Sequence, residues 1–511
     1  VPNLFNSPPR QTFWLALLLG LLGDQLSFGV GFTGPVVLIW LGSLVLCAGW
    51  LARNARWLRS LLLWGAIAVL AAGLRLWLAF PVVDVALFLV IGTAAAQILL
   101  RTAGLGYLQA DLYQQLLAFV RVPLQALLGS FSIVGRLEFK PAPAHPAIMG
   151  ALRGLLLASP LLLVFSLLFA AADVTFENYL SQLPDTFSLN TLQHGLLVLW
   201  LGWLALGLLA AAWQARTTHP SPTLTVKLGN AETLMMMGLL ALLFLAFAGL
   251  QLSHLLHDGA GIAQTTGLTI AEYARHGFFQ LLFIAALALA MLLLLSGCCS
   301  NRRLFAGFAG LLLVCVLIVL ASAVQRMLFY LDSFGLSIDR VIASMVMLWL
   351  CGSLFLFAAT VLRNRPAGFV SSVITLGIGV CFGLTLLNPA ALVTRVNIER
   401  SLSQQQALDA DYLFKLGADA VPDLLAYFPQ LPSATQCELG MVLLANWVGS
   451  NNSNALHLQD WRHWNRAYHL AQSLVQANSQ QLLVAAQRTG NPYYSSIENL
   501  YELAPGGLKC Q

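Results

Sequence analysis

Blocks of about twenty apolar residues succeed one another through most of this chain. At 1.5 Å per residue, twenty residues let an α-helix cross a hydrocarbon layer about 30 Å thick, so the blocks match a bilayer and not a water-soluble core. The charge content points the same way. Of 511 residues, 59% are apolar and 9% charged, where a soluble domain carries about 25% charged residues. The expected fold class is an all-α integral membrane protein whose first partner is the lipid bilayer.

Eleven stretches qualify as spans: about 13–32, 34–52, 60–78, 80–100, 150–172, 193–214, 232–253, 273–296, 304–324, 339–362 and 367–387. The third and fourth are divided by Pro81 and interrupted by Arg75 and Asp84, so two crossings and a re-entrant hairpin both fit them. Arg10 ahead of the first stretch imitates a secretion signal. No small-residue cleavage site follows, however, and Asp24 and Gln25 close the apolar run, so a retained helix is expected. The chain then divides into N-terminal spans over 1–100, a long loop over 101–149, a main bundle over 150–387 and a C-terminal segment over 388–511. Residues 111–134 of the loop are apolar with scattered Gln, Arg and Tyr, the pattern of an amphipathic helix lying in the membrane interface.

Positive charges orient such a chain, because Lys and Arg concentrate in cytoplasmic connections. Arg10 and every second connection hold fifteen Lys or Arg, among them Arg53, Arg121, Lys140, Lys227, Arg302 and Arg363. The intervening connections hold four, Arg75, Arg275, Arg326 and Arg340, with most of the acids: Asp24, Asp84, Asp173, Glu177, Asp185, Asp258, Glu272, Asp332 and Asp339. The N-terminus is therefore expected in the cytoplasm. An odd number of spans carries the C-terminal segment outside it.

That segment has no stretch of spanning length. Its apolar residues keep helical spacing, as in Leu408, Tyr412, Leu413 and Leu416, then Val421, Leu424, Leu425 and Phe428, then Leu439, Val442, Leu443 and Trp447. A small α-helical extracytoplasmic domain is expected, offering a surface for an envelope protein partner. Cys437 and Cys510 are its only cysteines, and an oxidising compartment favours a disulfide between them. Its seven Lys or Arg against nine Asp or Glu leave no basic face for nucleic acid.

Polar residues of the later spans gather at their outward ends. Glu272, Arg275, His276 and Phe279 share one helical face. Gln251 and His254 leave the preceding span, Asp173 closes the fifth, and Arg326, Tyr330, Asp332 and Arg340 follow the ninth. Charges at membrane depth usually face a bundle interior or a water-filled cavity, and this set is expected to form an outward vestibule for a ligand or ion pairs. The competing reading is ordinary: helix ends collect charges at the headgroup level, and ion pairs often serve packing alone. His254 and His257, at i and i+3, with His276 near them in topology, could be read as three metal ligands, but lone interfacial histidines are far commoner, so neither metal nor cofactor is expected. Asp24 lies in a first outward turn, where an acid that ends a span is the simplest role. No GxxxxGKS, GxGxxG after a strand, HExxH or GxSxG occurs, which removes the common nucleotide, zinc-protease and serine-hydrolase readings.

The segments AEYARHGFF (271–279), LASAVQRMLFYLDSFGLSIDR (320–340), NPAALVTRVNIER (388–400) and LDADYLFKLGADAVPDL (408–424) resemble those of a bacterial multi-span membrane protein family. That family is catalogued as a domain of unknown function, of the DUF 4173 or DUF 4153 type. The resemblance implies an integral protein of the bacterial envelope and leaves the activity open. From the residues, the expected function is non-enzymatic: sensing or scaffolding through the outward vestibule and the C-terminal domain. A secondary transporter or channel for a small solute and a membrane enzyme acting on a lipid-linked substrate are the alternatives.

Overall fold

The computed structural model describes residues 8–53, 55–107, 110, 112–134, 189–211, 229–256, 278–299, 301–365, 368–404, 408–448 and 460–486. Helices α1 (Pro8–Ser27), α2 (Gly34–Leu51), α3 (Leu58–Leu74) and α4 (Pro81–Thr102) run as consecutive hairpins, followed by α5 (Leu112–Val134) and α6 (Leu189–Ala210). The later bundle comprises α7 (Asn230–Leu256), α8 (Phe278–Cys298), α9 (Arg302–Phe334), α10 (Ile338–Thr360) and α11 (Phe369–Leu387). Short helices complete the chain: α12 (Pro389–Gln404), α13 (Ala410–Phe414), α14 (Val421–Tyr427), α15 (Ser433–Trp447), α16 (Arg466–Ala477) and α17 (Ser479–Ala486).

Nine helices among the described residues have the length and hydropathy to cross a membrane: α2, α4 to α11. The apolar α3 is shorter, and α1 is not among the nine. Ten of the eleven expected spans coincide with helices, and the eleventh, 150–172, lies outside the described residues. The side chains on the outside are those of a lipid-facing surface. Leu46 is 75% and Phe283 67% exposed, a poor arrangement in water and a natural one against acyl chains.

Local signals set the helix ends. Pro81 opens α4, where its missing N–H costs nothing. The Asn301 side chain caps α9 by accepting the N–H groups of Arg303 and Leu304, at 3.1 and 3.3 Å. The α9 helix continues ten residues past the apolar stretch that announces it, to a turn at Gly335. Outside the hydrocarbon a helix no longer needs apolar side chains, so hydropathy loses its far end.

Several cores build the membrane part among the described residues, and three of them set its layout. The α1, α2 and α6 helices bury Ala16, Leu19, Leu44 and Leu206 together. The α3, α4 and α11 helices meet around Ala71, Leu87 and Val90. The α7 to α10 group packs around Met237, Leu292, Phe305, Val316 and Phe357. Another core holds the C-terminal helices around Leu413, Leu424, Phe428, Leu444 and Val475, and it runs without a break into Ala86, Ile338, Val341 and Leu384 of the spans.

The α5 helix is placed differently from the others. Its Gln115 accepts the Gln97 amide at 2.6 Å and Ala118 packs on Ala96 and Leu100, near the end of α4. Its second half meets the end of α6: the Gln125 amide donates to the Gly207 carbonyl at 2.7 Å, and Ser130 donates to the Trp203 carbonyl at 2.5 Å. Approach is so close that a Cβ on Gly207 would strike the Gln125 and Ala126 carbonyls. Both halves of α5 therefore lie against the helix ends remote from the C-terminal helices.

Candidate functional site

Asp173, Glu272, Arg275, His276 and the second histidine, His257, lie outside the described residues. His254 is placed in α7. The remaining expected residues fall into two groups. Between α7 and α9, the Gln251 carbonyl oxygen accepts the Ser322 hydroxyl at 2.7 Å and the Arg326 guanidinium at 3.4 Å, and all three residues are buried. Arg326 thus meets a neutral amide, and the Asp332 side chain is exposed. A buried guanidinium keeps its charge and needs hydrogen-bond acceptors around it, which an amide carbonyl supplies without a second desolvated ion.

The second group surrounds the turn from α9 to α10. The Arg340 guanidinium stacks over the Tyr330 ring at 4.0 Å and donates through Nη1 to the carbonyls of Phe334, at 3.2 Å, and Gly335. From α12, Arg400 donates to the Leu331 carbonyl at 3.0 Å and to the Asp332 carbonyl, closing the C-terminal end of α9. Cations are favoured there by the helix dipole. Asn397 clamps the turn from both sides, accepting the Leu336 N–H at 2.8 Å and donating to the Leu336 carbonyl at 2.7 Å. The Tyr412 hydroxyl accepts the Ile338 N–H at 2.9 Å. Arg340, Arg400, Asn397 and Tyr412, with Ser337, Ser401 and Asp409, line a polar cavity of about 280 Å³.

Other C-terminal residues hold two further turns at the same end. Asp419 accepts the Ala79 N–H at 2.7 Å, and the Asn465 amide donates to the carbonyls of Arg75 and Leu78 at 3.0 and 2.9 Å. The Arg466 N–H bonds the Leu76 carbonyl at 2.8 Å, while its guanidinium covers the Trp77 ring at 4.2 Å. Arg462 donates to the Phe28 carbonyl at 3.1 Å, and its own carbonyl accepts the Thr33 hydroxyl. Burial lifts the Asp419 carboxyl from the ordinary 3.8 to about 6, although the N–H groups of Ala79 and Phe80 and the charge of Arg466 oppose the rise.

The odd outward arginine of the first bundle also finds a place here. Arg75 pairs with Asp84 at 2.9 Å and reaches the Phe32 carbonyl at 3.2 Å, so it ties two turns together. Nearby, a carboxyl oxygen of buried Asp24 lies 2.9 Å from His194 Nδ1, and the imidazole stacks on Phe28.

Asn397, Arg400, Tyr412, Asp419, Arg462, Asn465 and His194 escape a search for charges at span ends. The segments 388–400 and 408–424 hold four of them and do stand out by resemblance. Nothing in WRHWNR (461–466) announces that its side chains reach carbonyls some 390 residues away.

The chain belongs to the family described as "Domain of unknown function (DUF4153)", whose model matches residues 36–427. The match takes in the α9–α10 turn and its partners Asn397, Arg400 and Tyr412, and stops before α15. No curated protein matches the chain, and no solved structure does.

Proposed function

We propose that this DUF4153 member is a non-enzymatic protein of the bacterial inner membrane that senses or scaffolds through its C-terminal helices. The observation that supports this reading is the docking of those helices on three inter-helix turns at one end: Asn397 on Leu336, Asp419 and Asn465 on the 75–80 turn, and Arg462 on Phe28. A unit seated on turns from both bundles can transmit a change at its surface to their packing, and the reverse. The docked end is extracytoplasmic in this reading, as the arginine distribution argues. The α5 helix then lies along the cytoplasmic face, with Arg121 near anionic headgroups.

Cys437 belongs to the same picture. It is buried in α15, and its Sγ lies 3.8 Å from the Ala486 carbonyl oxygen, while Cys510 lies outside the described residues. The proposed Cys437–Cys510 disulfide would tie the end of the chain to this core. Alkylation of both thiols without a reductant refutes it.

The test of function is complementation of a strain lacking the protein. A variant with Asn397→Ala and Arg462→Ala that reaches normal membrane abundance yet fails to restore the wild-type phenotype supports the reading, and full restoration refutes it. The buried Gln251–Ser322–Arg326 group favours a second reading, transport of a small solute. Arg326→Ala would then abolish flux in proteoliposomes at unchanged abundance.

A further inference from the structure

We propose that the cavity at the α9–α10 turn binds a phosphate group, carried by a lipid headgroup or free in solution. The inference rests on the docking reading above and gives its vestibule a ligand class.

The charge of the cavity favours an anion. Two guanidinium groups line it, against one carboxylate, and an Oδ of that carboxylate, Asp409, already accepts the Tyr412 N–H at 3.0 Å. Capping α9 accounts for only part of what the arginines offer. A guanidinium has five N–H donors. Arg340 uses Nη1 on the Phe334 and Gly335 carbonyls, which leaves Nη2 and Nε, and the buried Nε has no hydrogen-bond partner among the described residues. Arg400 uses one hydrogen each on Gln404, Leu331 and Asp332, so two remain.

Hydroxyl donors complete the set. Ser337 precedes α10 without capping it through its side chain. The Tyr412 hydroxyl accepts from Ile338 and keeps its own hydrogen to give. These donors come from three separate segments around one cavity of about 280 Å³. That arrangement suits the tetrahedral oxygens of a phosphate, which accept from several directions, better than a flat carboxylate facing one fork.

The full-length protein in neutral detergent tests this, with inorganic phosphate, phosphatidylglycerol and the phosphate-free lipid diacylglycerol as probes, read by thermal midpoint and by native mass spectrometry. Phosphate or phosphatidylglycerol is expected to raise the midpoint and remain as an adduct. Arg340→Gln should weaken that binding by roughly 10-fold or more, and Ser337→Ala by about 3-fold. Phosphatidylglycerol acting without free phosphate identifies a headgroup, and free phosphate acting alone identifies a soluble ligand. If Arg340→Gln does not fold, Arg340→Lys and Ser337→Ala carry the comparison. No response in the wild type, an equal response in the variants, or equal binding of diacylglycerol overturns the assignment. Hydrogen exchange at Leu336 and at residues 76–80 of the same samples reports docking separately. Protection there without an anion response sinks the phosphate site alone, and absent protection sinks the docking reading.

Discussion

The Asp419 carboxylate accepts the Ala79 backbone N–H at 2.7 Å, joining the C-terminal helices to the turn between α3 and α4. This bond has a pH dependence with a definite sign. The folded carboxyl titrates at about 6, above its ordinary 3.8, with Arg466 and Asp84 as its charged neighbours. The folded state therefore holds the proton more tightly, and the stabilisation is complete below about 3.8 and disappears as pH rises through about 6. Relative to Asp419→Asn, the wild type should gain up to about 3 kcal/mol between pH 7 and pH 4. Above pH 7 the difference should be flat. Thermal midpoints of both proteins across that range check it.

Asp24 and His194 bring together α1 and α6 from opposite ends of the first bundle's sequence, at 2.9 Å. The Asp24 side chain is buried and the imidazole half-exposed, so losing the imidazole strands a buried carboxylate. His194→Ala should cost roughly 1–3 kcal/mol, and more than Asp24→Asn, which leaves a neutral amide in place. Denaturation of the two single variants and the double variant measures the coupling.

Gln251 supplies the acceptor that holds Ser322 and Arg326. Gln251→Leu keeps the bulk and removes the acceptor inside a buried region, at an expected cost of about 2 kcal/mol. Ser322→Ala removes one neutral donor and should cost less than 1.5 kcal/mol. A larger loss from Ser322→Ala than from Gln251→Leu would show that Arg326 does not depend on Gln251.

The bundle could be anticipated from the sequence because the bilayer imposes one length on every span. Leu58–Leu74 and Pro81–Thr102 begin and end within a few residues of their apolar stretches. The site could be anticipated only in part. Tyr330 and Arg340 are ten residues apart on neighbouring helices, and both are conspicuous in the sequence as polar residues at span ends. Their partners Asn397 and Arg400 engage the backbone of residues 331–336. A carbonyl has no side-chain identity to search for, so such pairings become visible only when the chain is folded. Arg326 shows the converse: its charge is conspicuous in the sequence, but the amide it meets, Gln251, is 75 residues away on another helix.

Gly335 is the position on which the α9–α10 turn depends most directly. Its φ of +74° lies in the left-handed region, where a side chain is strained. A Cβ there would also stand 2.5 Å from Asn397 Oδ1 and 3.1 Å from the Arg400 guanidinium. Gly335→Ala should therefore destabilise by about 1–3 kcal/mol, and the loss should be local. Asn397 would be pushed off Leu336, opening the docked end there, while Asp419 and Asn465 still hold the 75–80 turn. Hydrogen exchange resolves the two cases: faster exchange at 335–338 with unchanged protection at 76–80 is the expected result. Uniform acceleration at both turns would mean that the C-terminal helices dock as one cooperative unit, and unchanged exchange at both would mean that the Asn397 clamp does not hold the turn.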